Sequence, residues 1–191
     1  MNTRKIILAS GSPRRRELLR GLGLEFEIYK PEVDESRLPN ERPEDLCRRL
    51  SRIKARAGSQ KFSDSIVIAA DTIVVVDGLI LGKPSDREDA FNMLKTLQGR
   101  GHEVLTGLTV CDDEKIISHV EHTRVKFRQL NDSQIKNYVA SGECDDKAGA
   151  YAVQGKGALL VEGLNGDYFN VVGLPVCALG KILSEFGVNI L

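Results

Sequence analysis

The sequence predicts an α/β fold built on a mixed β-sheet. Short apolar runs of strand length alternate with segments whose apolar residues recur at helical spacing, and Gly, Pro, Asn or Asp separate the two kinds of segment. This alternation is typical of strand–helix–strand units with parallel strands. Two predicted hairpins add antiparallel strands, so a mixed sheet fits better than a purely parallel one.

The N-terminal third predicts two strands and two helices. Residues 6–9 form a short apolar run that ends at a turn, and a helix follows with Ser12 as its N-cap and Pro13 at its first position, where a missing N–H costs nothing. Residues 26–29 predict a second strand. Residues 43–57 predict an amphipathic helix, because apolar residues recur there at helical spacing.

The middle of the chain predicts a buried strand and a hairpin. Residues 65–70 are continuously apolar, with Asp71 at the end of the strand, and residues 73–81 predict a hairpin that turns at Asp77-Gly78. Ser85 and Glu88 have capping-box spacing, which predicts a helix that continues to Leu97.

The last part of the chain predicts two further strands and two helices. The strands lie around residues 104–111 and 116–127. Asn131 and Gln134 predict a capping box, with Leu130 and Ile135 placed for a hydrophobic staple. A closing helix is expected within residues 174–186.

Bulk composition favours a single globular domain over residues 1–191, which could fold as two lobes around a cleft. The chain has 27 Lys plus Arg and 27 Asp plus Glu, so its net charge is zero, which argues against general nucleic-acid binding. The four cysteines show no metal-ligand spacing and are expected to be reduced thiols. The N-terminal apolar run is too short for a signal peptide or membrane anchor, so we expect a cytoplasmic protein without membrane contact.

A phosphate-binding segment is predicted between the first strand and the first helix. Ser10-Gly11-Ser12-Pro13-Arg14-Arg15 combines hydroxyl donors, a glycine and two guanidinium groups at a helix N-terminus. A capped helix with solvated arginines explains this segment equally well, and no Walker loop is present.

Three other groups of residues have side chains that could bind a metal ion, a phosphate or a base. Asp71-Thr72 follows a buried strand, where a carboxylate could bind Mg²⁺ or take a proton from water, although such an Asp is more often a turn former. Lys83 could reach a phosphate, while Glu35 with Lys54 could supply a second carboxylate and a further ammonium group. Residues 147–155 read as a Gly-rich strand and turn in which Gln154 could contact a base edge.

The order of these motifs resembles one known family. The segments ASGSPRRRELL, AADTIVVVDGLILGKP, and DKAGAYAVQG followed by GDYFNVVGLP are similar to those of the Maf family of nucleotide pyrophosphatases, and the resemblance covers nearly the whole chain. It implies an elongated α/β molecule related to the inosine triphosphatase (Ham1) fold, with two lobes around a deep cleft. It also implies a homodimer and a divalent cation, for which Mg²⁺, Mn²⁺ and Co²⁺ are the candidates.

The resemblance also implies roles for individual residues. Glu35 and Asp71 resemble the acidic pair that holds the cation, and Asp71 resembles the family's proposed proton acceptor. The positions that resemble phosphate-binding residues are Ser10, Arg14, Arg15, Lys54 and Lys83. Arg14, Thr72 and Gln154 match positions associated with substrate choice, and the AGAYAVQG form resembles the branch that acts on dTTP and UTP.

Three alternatives remain open at this point. A nucleotide-sensing regulator of cell division could keep the same pocket without turnover that matters to the cell. A pyrophosphatase for modified nucleotides would share the chemistry but tolerate more bases. A nucleic-acid-binding protein could use the arginine-rich helices, although the chain contains no Trp and only 5% aromatic residues for base stacking.

Overall fold

The computed structural model of the protein describes residues 4–191 and contains one seven-stranded sheet with six helices. The expectation about the start of the chain involves residues 1–3, which lie outside the described part. The strands are β1 (Ile6–Ala9), β2 (Glu27–Tyr29), β3 (Ile66–Val76), β4 (Leu79–Leu81), β5 (Gly101–Cys111), β6 (Ile116–Phe127) and β7 (Val161–Asn165). The helices are α1 (Pro13–Gly21), α2 (Pro43–Lys61), α3 (Arg87–Leu97), α4 (Asp132–Ala140), α5 (Tyr168–Val172) and α6 (Val176–Ser184).

The sheet is mixed, as predicted. Its strand order is β2-β1-β3-β5-β6-β7, and β4 pairs with β3 outside this path. Strand β1 runs parallel to both β2 and β3, whereas β4 is antiparallel to β3 and β7 is antiparallel to β6. The β3–β4 turn lies at Asp77 and Gly78, which have positive φ values of 49° and 78° and so fit the tight turn predicted there.

The chain divides into two compact units. The first consists of the chain up to Asp71, Thr106–Glu121 and Gly173–Leu191, and the second consists of Thr72–Leu105 and His122–Val172. Each unit has its own apolar core. Among residues 4–191, no helix combines the length and the apolar character needed to cross a membrane.

In the first unit, helices cover both faces of the sheet. On β3, the side chains of Ile66, Ile68 and Ala70 pack in the cluster that contains residues of α1 and α6. Val67 and Ala69 alternate with them and face the opposite cluster, which contains Ala55 of α2. This two-sided burial explains why the sequence of β3 is continuously apolar.

Two glycines allow α2 to approach the sheet closely. A methyl group at Gly58 would lie 2.7 Å from Val67 Cγ1, and one at Gly107 of β5 would collide with the carbonyl oxygen of Cys47 in α2. The side chain of Asp71 follows the alternation of Val67 and Ala69, so it also faces α2. Close packing of α2 therefore determines which of its side chains can meet Asp71.

In the second unit, an apolar cluster includes Leu94 of α3, Ile135 of α4 and Phe127 of β6. The capping box predicted at the start of α4 is confirmed. Asn131 Oδ1 accepts from the Gln134 N–H at 2.9 Å, and Gln134 Oε1 accepts from the Asn131 N–H at 3.0 Å.

Several predictions about local structure are wrong. Asp71 does not end a strand but lies in the middle of β3, because Ile73 to Val76 continue the run of buried β-branched residues. The N-cap of α3 is Asp86, whose side chain accepts from the Asp89 N–H at 2.8 Å, whereas Ser85 donates to Asp89 instead of forming a box with Glu88.

The predicted Gly-rich strand and turn at residues 147–155 is also wrong. This part of the chain contains the 3₁₀ segment Ala148–Ala150 and the start of a second one, Gly155–Leu160. Gly149 lies there at φ +68°, and a methyl group on it would come within 3.0 Å of both Val74 methyl groups. Strand β7 and helix α5 were not predicted from the sequence.

Candidate functional site

The parallel strands of the first unit bring three predicted segments to one edge of the sheet. In the β1–β3 register Leu8 lies opposite Ile68, so Ser10 follows β1 close to where β3 reaches Asp71. Strand β2 is parallel to β1 in register, so the loop that carries Glu35 leaves from the same edge. Carboxyl ends of parallel strands commonly bind ligands in α/β folds.

Lys54 joins the two predicted carboxylates. Its Nζ donates to Asp71 Oδ1 at 2.6 Å and to Glu35 Oε2 at 2.9 Å. The side chains of Lys54 and Asp71 are each only 11% exposed, whereas that of Glu35 is 55% exposed. Lys54 and Asp71 therefore form a buried charge pair, with Glu35 as the partner that can move into solvent.

Arg15 lies beside this group at the start of α1. Its Nη1 donates to Ser10 Oγ at 3.1 Å and its Nε donates to the carbonyl oxygen of Gly173 at 2.7 Å. Burial lowers the pKa of Arg15, while the charge of Asp71 and, more weakly, that of Glu35 opposes this shift. A cation is therefore held next to the acidic pair, with Ser10 between α1 and β1.

Ser12 occupies the predicted N-cap position of α1 but does not act as a hydrogen-bonding cap. Its N–H instead donates to Ser10 Oγ at 3.2 Å. The backbone at this turn is thus folded around the Ser10 hydroxyl.

Arg49 holds the Glu35 loop, a role that the sequence did not reveal. Its guanidinium donates to Glu41 Oε1 at 2.6 Å, to Glu41 Oε2 at 2.8 Å and to the carbonyl oxygen of Ser36 at 2.9 Å. The hydrogen bond from Arg49 lowers the pKa of Glu41. Asp34 adds a turn by accepting from the Ser36 N–H at 2.9 Å, and hydrogen bonds from the side chain and then the backbone of Ser36 lower the pKa of Asp34. No sequence spacing marks a contact between residues 13 positions apart.

The second unit carries Thr72, Lys83 and Gln154. The Lys83 loop is joined to the first 3₁₀ segment, because the Gly149 N–H donates to the carbonyl oxygen of Gly82 at 3.0 Å. Lys83 and Gln154 are both exposed. The structure thus brings together Ser10, Arg15, Glu35, Lys54 and Asp71 in one unit, and the joint action of both groups on one substrate remains a prediction.

The residues present could hold a divalent cation only if the substrate supplies further ligands. Within residues 4–191, no group of three or more His, Cys, Asp or Glu side chains could hold a metal ion. Glu35 and Asp71 supply the carboxylate oxygens that Mg²⁺ prefers. Mg²⁺ is commonly bound through one or two carboxylates together with water and substrate phosphates.

The cysteines agree with the expected reduced thiols. All four are free, and Cys47, Cys111 and Cys144 are buried whereas Cys177 is exposed. Burial raises the pKa of Cys47 to about 12 and that of Cys111 to about 11, so neither is a ready nucleophile.

Comparison with known proteins identifies the family. The family described as Maf-like protein matches residues 5–186. A protein of Caldanaerobacter subterraneus is 53% identical over 193 residues, covering 99% of this chain and 93% of its own length. One from Symbiobacterium thermophilum is 50% identical over 184 residues, covering 96% of this chain and 94% of its own length. Both relatives are named dTTP/UTP pyrophosphatase.

A solved structure supports the fold. The structure of a HAM1 protein from Coxiella burnetii aligns with a TM-score of 0.54 at 15% identity, covering 96% of this chain and all of the other. This similarity concerns the fold alone and confirms the predicted Ham1-like architecture. The family match over residues 5–186 and the relatives that are 50% and 53% identical show that the chain belongs to the Maf-like protein family.

Proposed function

We propose that this protein is a nucleoside triphosphate pyrophosphatase that hydrolyses dTTP and UTP to the monophosphate and pyrophosphate. The observation that carries the proposal is the buried Lys54, bonded to Asp71 and Glu35, with Arg15 and Ser10 beside it. This group has both the cations that phosphates need and the carboxylates that water activation needs. The names of relatives about 50% identical support dTTP and UTP as substrates.

In the proposed reaction, the oxygen of a water molecule forms a bond to the α-phosphorus, and the bond from that phosphorus to the bridging oxygen breaks. Pyrophosphate leaves with the bonding electrons, so negative charge grows on the β- and γ-phosphates. Arg15 and Lys54 stabilise that charge, and Lys83 is expected to join them. Asp71 orients the water or accepts its proton.

A bound divalent cation would neutralise phosphate charge, and Glu35 with Asp71 are the residues proposed to hold it. In the structure, the ammonium group of Lys54 donates a hydrogen bond to each of the two carboxylates. A bound triphosphate offers the ammonium group of Lys54 other anionic acceptors. The carboxylates then become available, and the exposed Glu35 is the one that can move.

Substrate choice is proposed to depend on Arg14, Thr72 and Gln154. No side-chain hydrogen bond of Gln154 forms within residues 4–191, so its amide is available to both a donor and an acceptor on a base edge. We further expect a cytoplasmic homodimer, for which light scattering on the purified protein measures the mass.

The test is pyrophosphate release from a panel of normal and modified nucleoside triphosphates with Mg²⁺, Mn²⁺ or Co²⁺. We expect metal-dependent release, fastest from dTTP and UTP, and a fall of about 10²–10⁴-fold for Asp71→Asn. Asp132→Asn is the matched control, because Asp132 forms only an exposed pair with Lys95. Faster release from modified pyrimidine nucleotides would favour the broader pyrophosphatase.

Two results contradict the proposal. Folded protein that binds nucleotides but releases no pyrophosphate with any metal would favour the nucleotide-sensing regulator. Normal turnover by a folded Asp71→Asn variant would remove Asp71 from the proposed chemistry.

A further inference from the structure

Gln154 occupies an unusual position in the second unit. It is the N-cap residue of the 3₁₀ segment Gly155–Leu160, with extended backbone angles of φ −105° and ψ 172°. The N–H groups at the start of such a segment lack partners within it, and the side chain at the N-cap position commonly accepts from them. Gln154 makes no such hydrogen bond.

Glu143 takes the place of the missing cap. Its Oε1 accepts from the Lys156 N–H at 3.2 Å and its Oε2 accepts from the Gly157 N–H at 3.2 Å. Gly155 lies at φ +61°, and a methyl group on it would come within 3.0 Å of Glu143 Oε2. The carboxylate therefore closes over the start of the segment from the turn that follows α4.

Two further side chains hold the chain just before Gln154. The hydroxyl of Tyr138 accepts from the Ala152 N–H at 3.1 Å. The hydroxyl of Tyr151 and Nε2 of the buried His102 lie 2.7 Å apart in a hydrogen bond. A methyl group at Gly157 would collide with the carbonyl oxygen of Ala152, so the backbone before Gln154 packs directly against the backbone after it. The backbone is thus held in place on both sides of Gln154, whose side-chain amide is exposed.

We infer that Glu143 is a positioning residue for substrate choice: by capping the 3₁₀ segment in place of Gln154, it leaves the Gln154 amide unbonded and aimed outward to read the base. The inference rests on the proposed function for the role of Gln154. Without Glu143, two N–H groups lose their acceptor, and Gln154, the N-cap residue, carries an amide oxygen that can turn back to accept from them.

The experiment compares Glu143→Ala, Gln154→Ala and the double variant. The measured quantity is the ratio of kcat/KM for dTTP to kcat/KM for dGTP, with kcat and KM resolved for each. Glu162→Ala is the matched control, because Glu162 is a carboxylate of the same unit that pairs with Lys126 at the surface. Hydrogen exchange of the Lys156 and Gly157 amides reports the cap directly.

We expect Glu143→Ala to lower the dTTP/dGTP ratio about tenfold, as expected for the loss of one hydrogen bond between the Gln154 amide and the base, mainly through a higher KM for dTTP. In the Gln154→Ala background, removal of Glu143 should leave the ratio unchanged, since both changes remove the same base contact. Exchange of the two amides should accelerate. A purely structural role would instead lower kcat for both nucleotides alike and add to the effect of Gln154→Ala.

A second variant tests the inference if Glu143→Ala folds poorly. Tyr138→Phe keeps the ring but removes the acceptor of the Ala152 N–H, so it should shift the same ratio in the same direction. An unchanged ratio in both folded variants overturns the inference.

Failure of the proposed function is distinguishable from failure of this inference. If the wild-type protein releases no pyrophosphate, the proposed function fails. The inference is then tested by calorimetric binding of the α,β-methylene analogues of dTTP and dGTP. Selectivity that falls in Glu143→Ala supports it, and equal selectivity in both proteins overturns it.

Discussion

Replacement of Lys54 by Met tests the electrostatic structure of the site. The substitution keeps a long apolar side chain in α2 but removes the ammonium group that contacts Asp71 at 2.6 Å and Glu35 at 2.9 Å. Because the side chain of Asp71 is only 11% exposed, its charge is left in a place that water barely reaches. Glu35 is more than half exposed, so water replaces its lost partner.

The expected cost comes almost entirely from Asp71. Breaking a buried charge pair by removing one partner costs about 3–5 kcal/mol. The nearby guanidinium of Arg15 compensates part of that charge, which places the expectation at the lower end, about 3 kcal/mol. For a chain of this length, such a loss lowers Tm by about 6–12 °C.

The assay is urea denaturation of four proteins: the wild type, Lys54→Met, Asp71→Asn and the double variant. The double variant lacks both charges of the Lys54–Asp71 pair, so it should be more stable than Lys54→Met alone, with a coupling free energy of about 2 kcal/mol. Lys126→Met is the control, since the side chains of Lys126 and Glu162 are 60% and 51% exposed. Its free energy of unfolding should change by less than about 1 kcal/mol.

Additive effects of the two single substitutions would refute this reasoning. So would a loss below about 1 kcal/mol in Lys54→Met. Either result would mean that the carboxylate of Asp71 is solvated in solution and that Lys54 does not hold it.

Two further predictions concern stability. Burial lowers the pKa of His102 from 6.5 to about 4, so the unfolded chain binds more protons between these values and stability falls as the pH drops through that window. The free energy of unfolding should fall by about 2 kcal/mol between pH 7 and pH 5 relative to His102→Gln; parallel pH profiles of the two proteins would contradict this. Gly107→Ala should lower the free energy of unfolding by about 3 kcal/mol or more in the same assay, because the added methyl group collides with the Cys47 carbonyl oxygen. Gly21→Ala is the control: nothing lies within 4 Å of the added methyl group, so it should not destabilise the protein.

Local patterns predicted much of the fold. The bounds of β1 and β6, the start of α1 at Pro13 and the capping box at Asn131 agree with the structure. Each depends on neighbours a few residues apart, which a single sequence displays. The cap of α3 was wrong because Ser85, Asp86 and Asp89 offer competing caps within one turn, and only backbone geometry selects Asp86.

The sequence by itself determined the family, the mixed α/β class and the residue types of the site. It did so because long motifs in a fixed order and apolar periodicity are local properties of the chain. Only the tertiary structure decided which charges meet. Close packing of α2 at Gly58 and Gly107, and the parallel register of β1 with β3, place Lys54 on Asp71 and Glu35. Likewise Glu143 reaches residues 156 and 157 only because the chain folds back over a turn. Contacts between residues 13 or more positions apart leave no periodic trace in a sequence, since they are set by packing geometry.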